Sequence, residues 1–156
     1  MARMPAAAPS CPMCGVPADA KVFDESAVHD LDLRPGDAIL LARFELPPEY
    51  CGTLEYIAQY TDQQAQHPEL IRTPGLEWSL RVNGHPLYPY IALDRILNPW
   101  GNGSFQIAIR LDDSAVLEFS VRRIDARPLA ITAVGGRIVG RYWYNAAYGD
   151  VAWRRS

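Results

Sequence analysis

Two cysteines separated by two residues, in Cys11-Pro12-Met13-Cys14-Gly15, form the sharpest chemical motif in the chain. Thiolates at this spacing can hold one tetrahedral metal ion, with Pro12 and Gly15 shaping the turn that aims backbone N–H groups at sulfur, and zinc is the metal the pattern fits. A closed site needs two more ligands. Cys51, His29, His67 and His85 are the remaining candidates. Their spacing builds no zinc ribbon, so a neighbouring copy would have to complete the set. The alternatives are a redox pair, which here lacks a βαβ context, and a disulfide, either local or to another chain. In each case Cys11 and Cys14 read as a clip that organises a segment rather than as a reaction centre. Cys51 reads as a small buried apolar residue.

Nothing else in the sequence assembles a nucleophile with its base. The three histidines are scattered, and no GxSxG, HExxH or phosphate-cradling glycine loop occurs. Asp112-Asp113-Ser114 reads as a hairpin turn, which Asp favours through contacts with its own backbone. Asn98-Pro99-Trp100-Gly101-Asn102-Gly103 lacks the Lys and Ser/Thr of a phosphate loop. The residues therefore point away from an enzyme. A formal charge of −3 likewise lacks the basic footprint of a nucleic-acid binder.

Large and planar side chains suggest binding to other molecules. Lys21 is the only lysine beside fourteen arginines, and arginine is enriched at protein interfaces where lysine is depleted. A GC-rich coding sequence gives the same bias. Tyr142, Trp143, Tyr144, Tyr148 and Trp153 make the C-terminal stretch aromatic. In a strand Trp143 opposes its two neighbouring tyrosines, so one face can be core while the other stacks on a sugar or anchors a partner. Trp143, Tyr148 and Trp153 are candidate partner contacts, as are Arg3, Pro5 and Pro9 near the N-terminus. Residues 19–37 carry six acids and two bases, and residues 121–156 carry seven bases and two acids. That asymmetry can pair within a fold or between copies.

A chain of 156 residues suits one domain. No run of eighteen apolar residues occurs to span a membrane, and residues 1–9 lack the apolar stretch of a secretory signal. Residues 1–22 read as an extended arm, too rich in Pro and Ala for regular structure; residues 23–156 read as the folded domain. From Leu31 onward apolar residues alternate, the mark of strands with one buried face. Leu40, Ala42, Phe44 and Leu46 form one set, and Leu54, Tyr56, Ala58 and Tyr60 a second. Leu76, Trp78, Leu80 and Val82 form a third, closed by the hairpin dipeptide Asn83-Gly84, with a short return strand near Leu87. Phe105, Ile107, Ile109 and Leu111 lead through a turn to Leu117, Phe119 and Val121. A last hairpin would run from Leu129 to Val134, turn at Gly135-Gly136, and return to Tyr144. Ile91 to Leu97 fits one or two helical turns. About eight short antiparallel strands imply an all-β antiparallel β-sandwich of jelly-roll type. Its binding loops would be the irregular stretches from Asp62 to Gly75 and from Pro89 to Gly103.

Leu33-Arg34-Pro35-Gly36-Asp37, Leu46-Pro47-Pro48-Glu49-Tyr50 with Gly52-Thr53-Leu54, the run from Trp78 to Pro86, and Val121-Arg122-Arg123 together resemble small jelly-roll virion proteins of tailed bacteriophages. The resemblance covers about Leu31 to Tyr148; the CPMCG arm departs from it. It implies a structural protein of the capsid decoration, collar or spike type, assembled in the host cytoplasm into the virion. Its partners would be other virion proteins and copies of itself, with no nucleic acid and no membrane. The arm would lie across a neighbouring protein. A different class, a carbohydrate-binding β-sandwich that recognises a host-surface glycan through Trp100 or Trp143, shares the fold. A third reading, a zinc-dependent regulatory module, rests on CPMCG alone.

Overall fold

The computed structural model describes residues 16–17, 19–62, 75–87, 104–129 and 131–145. The arm residues Arg3, Pro5, Pro9, Cys11 and Cys14 lie outside them, as do Trp100, Tyr148, Trp153 and the helical turn expected over Ile91 to Leu97. Among the described residues there are eight strands: β1 (Lys21–Asp30), β2 (Ala38–Glu45), β3 (Tyr50–Thr61), β4 (Leu76–Val82), β5 (His85–Pro86), β6 (Ser104–Leu111), β7 (Val116–Arg123) and β8 (Ala133–Tyr144). They make two four-stranded sheets, ordered β1-β8-β3-β6 and β2-β7-β4-β5. The antiparallel pairs β1/β8, β2/β7, β3/β6 and β4/β5 are successive rungs of one long hairpin. Wrapped so that its rungs alternate between two sheets, that hairpin is a jelly roll.

The core lies between the sheets. Trp78, Leu80, Leu117, Phe119 and Val121 of one sheet meet Leu54, Ile57, Val134 and Ile138 of the other, each 2% exposed or less. Excluding such side chains from water contributes about 1.5–3 kcal/mol each. Along one margin β1 meets β2 by stacking Phe23 on Phe44, ring centroids 4.0 Å apart. This contact closes the gap where both sheets have edge strands.

The quoted motifs prove to be the parts that set the wrapping. Asn83 and Gly84 both adopt positive φ, 53° and 77°, the left-handed pair that a two-residue hairpin demands. Asn83 Oδ1 also accepts a 2.8 Å hydrogen bond from the Val116 amide, tying this turn to β7. Glu49 takes φ 67° in the Pro47–Tyr50 turn, and its amide donates to Asp113 Oδ1 at 2.7 Å. In the β1–β2 connection Gly36, at φ 92°, donates its amide to the Arg123 carbonyl at 2.7 Å. Arg123 in turn donates to the carbonyls of Leu33, Asp125 and Arg127 at 2.7, 3.0 and 3.0 Å. One guanidinium thus braces the two connections that enter β2 and leave β7.

Three sequence expectations change. The Leu54, Tyr56, Ala58, Tyr60 alternation breaks at a register shift between Leu54 and Tyr56. Such a bulge reverses the facing of every later side chain: Leu54 and Ile57 point into the core, while Tyr56 and Tyr60, expected inside or on the core side, point outward. A second shift between Leu40 and Ala42 buries Leu41 and leaves Leu40 47% exposed. Third, Gly135-Gly136 is not a turn; both glycines sit inside the continuous strand β8. A Cβ on Gly136 would stand 2.7 Å from the Phe119 ring, and one on Gly135 would stand 2.9 Å from Val28. The pair therefore serves close approach on both sides of the sheet. The sandwich also starts earlier than the sequence suggests, because Lys21 and Val22 are the first residues of β1. Only Phe23 in that strand is fully buried, so KVFDESAVHD carries almost no apolar period to read.

Candidate interaction surface

The outer face of the β1-β8-β3-β6 sheet gathers exposed apolar and aromatic groups. The pairing register sets the face out in rows: Val28, Gly135 and Tyr60; then Ser26, Arg137 and Ala58; then Asp24, Val139 and Tyr56; then Val22, Arg141 and the fully buried Thr53. Val22 and Val28 are about two-thirds exposed, at 66% and 64%, and Tyr56 and Tyr60 stand open at 36% and 41%. Gly135 and Ala58 keep the floor between them low. At the end of this face Trp143 lies opposite Cys51 and is half-buried. It therefore offers no open ring platform. Burial pushes the Cys51 thiol up from its ordinary pKa, as for a small buried apolar residue.

Two ion pairs cross the same face. Arg137 donates to both carboxylate oxygens of Asp24, at 2.7 and 2.5 Å, and Arg141 donates twice to Glu55 Oε1, at 2.8 and 2.5 Å. The hydrogen bonds from Arg137 hold the Asp24 carboxyl below the ordinary range and raise the guanidinium in return. Asp24 belongs to the acidic segment and Arg137 to the basic one, so part of the end-to-end charge asymmetry pairs within the chain. At the far end of β3, Asp62 accepts from the Thr132 hydroxyl at 2.6 Å and from the Thr132 amide at 3.0 Å. The hydroxyl contributes most to lowering the Asp62 pKa.

The outer face of the β2-β7-β4-β5 sheet is different. Ser79 and Ser120 pair through their hydroxyls at 3.0 Å in a shallow depression of about 180 Å³, rimmed by Glu77, Arg81, Pro86 and Arg122. Arg122 is held by Glu77 at 2.9 Å. Its lining is small polar groups, one ion pair and the further cation Arg81. Among the described residues, no cluster of three or more His, Cys, Asp or Glu side chains could hold a metal ion. Likewise none of their helices is long and apolar enough to cross a membrane.

Aromatics also gather where β1 begins. Tyr142 tilts against Phe44 and Tyr50, with centroids 5.4 and 5.7 Å away, and Tyr144 meets Tyr50 edge-on at 5.9 Å. The Lys21 ammonium lies 5.5 Å from the Tyr50 ring centre and 6.0 Å from that of Tyr142. The sequence thus placed Tyr142 and Trp143 on opposite faces correctly. It missed Val22, Val28, Tyr56 and Tyr60 as a surface, because a bulge leaves no mark in the apolar pattern.

No protein-family model matches this sequence, and no curated protein matches it. Among solved structures, the chain is similar to the VP2 subviral particle of infectious bursal disease virus, at 9% identity and a TM-score of 0.45, over 87% of this chain and 36% of that one. It is also similar to the structure of the Gt strain of that virus, at 10% identity and a TM-score of 0.43, over 83% of this chain and 33% of that one. The chain spans about a third of the length of these viral chains. A third similarity, to dimeric latent PorU from Porphyromonas gingivalis, has 15% identity and a TM-score of 0.28, over 80% of this chain and 14% of that one.

Proposed function

We propose that this chain is a structural virion protein that binds neighbouring subunits, and that it belongs to the decoration, collar or spike proteins of a tailed bacteriophage. The observation that carries the reading is the pairing of outward Tyr56 and Tyr60 with inward Gln59. Gln59 is only 8% exposed and its amide nitrogen has no hydrogen-bond partner, while Tyr60 beside it stands open. Folding alone favours the reverse, since an unpaired buried amide costs about 1–3 kcal/mol and exposed rings forgo burial. The bulge gains the fold Ile57, yet it leaves an unpaired buried amide beside two open rings, and a local rule broken in this way points to a use outside the fold; tyrosine is a preferred residue at binding hot spots. The jelly-roll wrapping and the arginine-heavy composition support the same reading. The arm of this proposal is the expected segment 1–22 less Lys21 and Val22, which begin β1; restricted by its prolines, it loses less entropy on docking across a neighbour.

The test is incorporation. A tagged chain expressed during phage production should copurify with particles at fixed stoichiometry, and a chain lacking residues 1–20, the expected arm up to the start of β1, should fold yet fall out of them. A full-length chain absent from purified particles, or one that binds a glycan array as a free monomer, would overturn the proposal in favour of a carbohydrate-binding module. Elemental analysis of those particles tests the CPMCG motif: zinc below one equivalent per chain would leave only the thiol or disulfide readings of Cys11 and Cys14.

A further inference from the structure

We infer that the outer face of the β1-β8-β3-β6 sheet binds the same face of a second copy of this chain, sheet upon sheet. The inference rests on the assembly reading above and names the partner at that surface. Three observations carry it.

The first is charge. The two β8 arginines on this face are already neutralised from within the chain, Arg137 by Asp24 and Arg141 by Glu55. A partner of strong net charge would gain little there. An identical face, related by a two-fold axis, brings no unpaired arginine into the contact, and the carboxylates Asp30 and Asp62 lie one row beyond Val28 and Tyr60, at the rim where water can reach them.

The second is area. Strands of eight to twelve residues, rising about 3.3 Å per residue and set about 4.8 Å apart, give four strands a face of about 30 by 19 Å. That is about 600 Å² in projection, and side chains raise the accessible area above it. Stable dimers bury about 800 Å² per partner, so a contact that uses the whole of this face approaches that size.

The third is relief. Val22, Val28, Tyr56 and Tyr60 project beyond a floor of Gly135 and Ala58. Projections beside low positions on one self-facing surface can interdigitate, as the inner faces of two packed sheets do. On the opposite sheet the low ground is polar and the projection single: Leu40, at 47% exposure, stands beside the depression of Ser79 and Ser120.

Sedimentation velocity of the full-length chain across a micromolar concentration series decides the matter. A mass of two chains is expected. Tyr60→Glu and Val28→Glu should each weaken the association at least about thirtyfold, the effect of losing one hot-spot residue, with unchanged circular dichroism. Leu40→Glu, on the other sheet, should leave it intact. A wild-type chain that stays monomeric throughout the series would overturn the inference, as would variants that dimerise like wild type. If a monomeric wild type were still incorporated into particles, this inference would fail while the assembly proposal stood, and a different virion protein would own the face.

Discussion

The two outer faces of the sandwich start from the same backbone plan and end in opposite surfaces. On the β2-β7-β4-β5 side, outward positions carry Ser79, Ser120, Glu77 and Arg122, which water or each other satisfy. On the β1-β8-β3-β6 side, outward positions carry Val22, Val28, Tyr56 and Tyr60 between two intrachain ion pairs. Each sheet contains one bulge, at Leu40/Ala42 and at Leu54/Tyr56. The first brings Leu41 into the core and exposes one leucine; the second brings in Ile57 but also buries a glutamine and exposes two tyrosines. The difference shows that a bulge which serves packing in both sheets can remake the surface of only one.

The largest effect should come from removing what both faces stand on. Trp78→Ala takes out the largest buried side chain beside Phe119, ring centroids 6.0 Å apart, and should cost about 3–5 kcal/mol in a denaturant melt. An unchanged midpoint would mean that Trp78 is not in the core at all.

Gly136→Ala should cost less, about 1–3 kcal/mol, because the new Cβ would crowd the Phe119 ring at 2.7 Å and Leu41 Cβ at 2.9 Å. Pairing it with Phe119→Leu should recover part of the loss. No recovery would place the strain in the backbone instead.

Acid should separate the two sheets. Asp24 and Asp62 have lowered folded pKa values, so the stability they contribute is complete above their unfolded values, near 3.8, and is lost as pH falls through the folded ones. Both pin β8, Asp24 through Arg137 and Asp62 through Thr132. Hydrogen exchange at decreasing pH should therefore speed first in β1 and β8, and Asp62→Asn should flatten that dependence. Equal acceleration in β4 and β7 would show that neither carboxylate acts locally.

The smallest effect belongs to the polar face. Arg122→Ala removes one exposed ion pair with Glu77 and should change stability by at most about 1 kcal/mol, less at high salt. A larger loss would mark the serine depression as more than a solvated surface.

Much of this was legible in the residues. The alternation of Leu76, Trp78, Leu80 and Val82 specified a half-buried strand, Asn83-Gly84 specified a left-handed hairpin turn, and Leu117, Phe119 and Val121 specified its neighbour. Each signal is local, carried by a side-chain period or by a backbone angle that few residues tolerate. Other features depended on contacts between distant segments. β1 holds because β8 and Phe44 receive it, not because its own pattern is amphipathic. The glycines at 135 and 136 read as a turn because sequence shows only their freedom; the Phe119 ring and Val28 show that space was the reason. The bulge between Leu54 and Tyr56 follows from β3 having to match β6 and β8 at once. That register, set by strands more than forty positions away in the chain, decided that two tyrosines face outward.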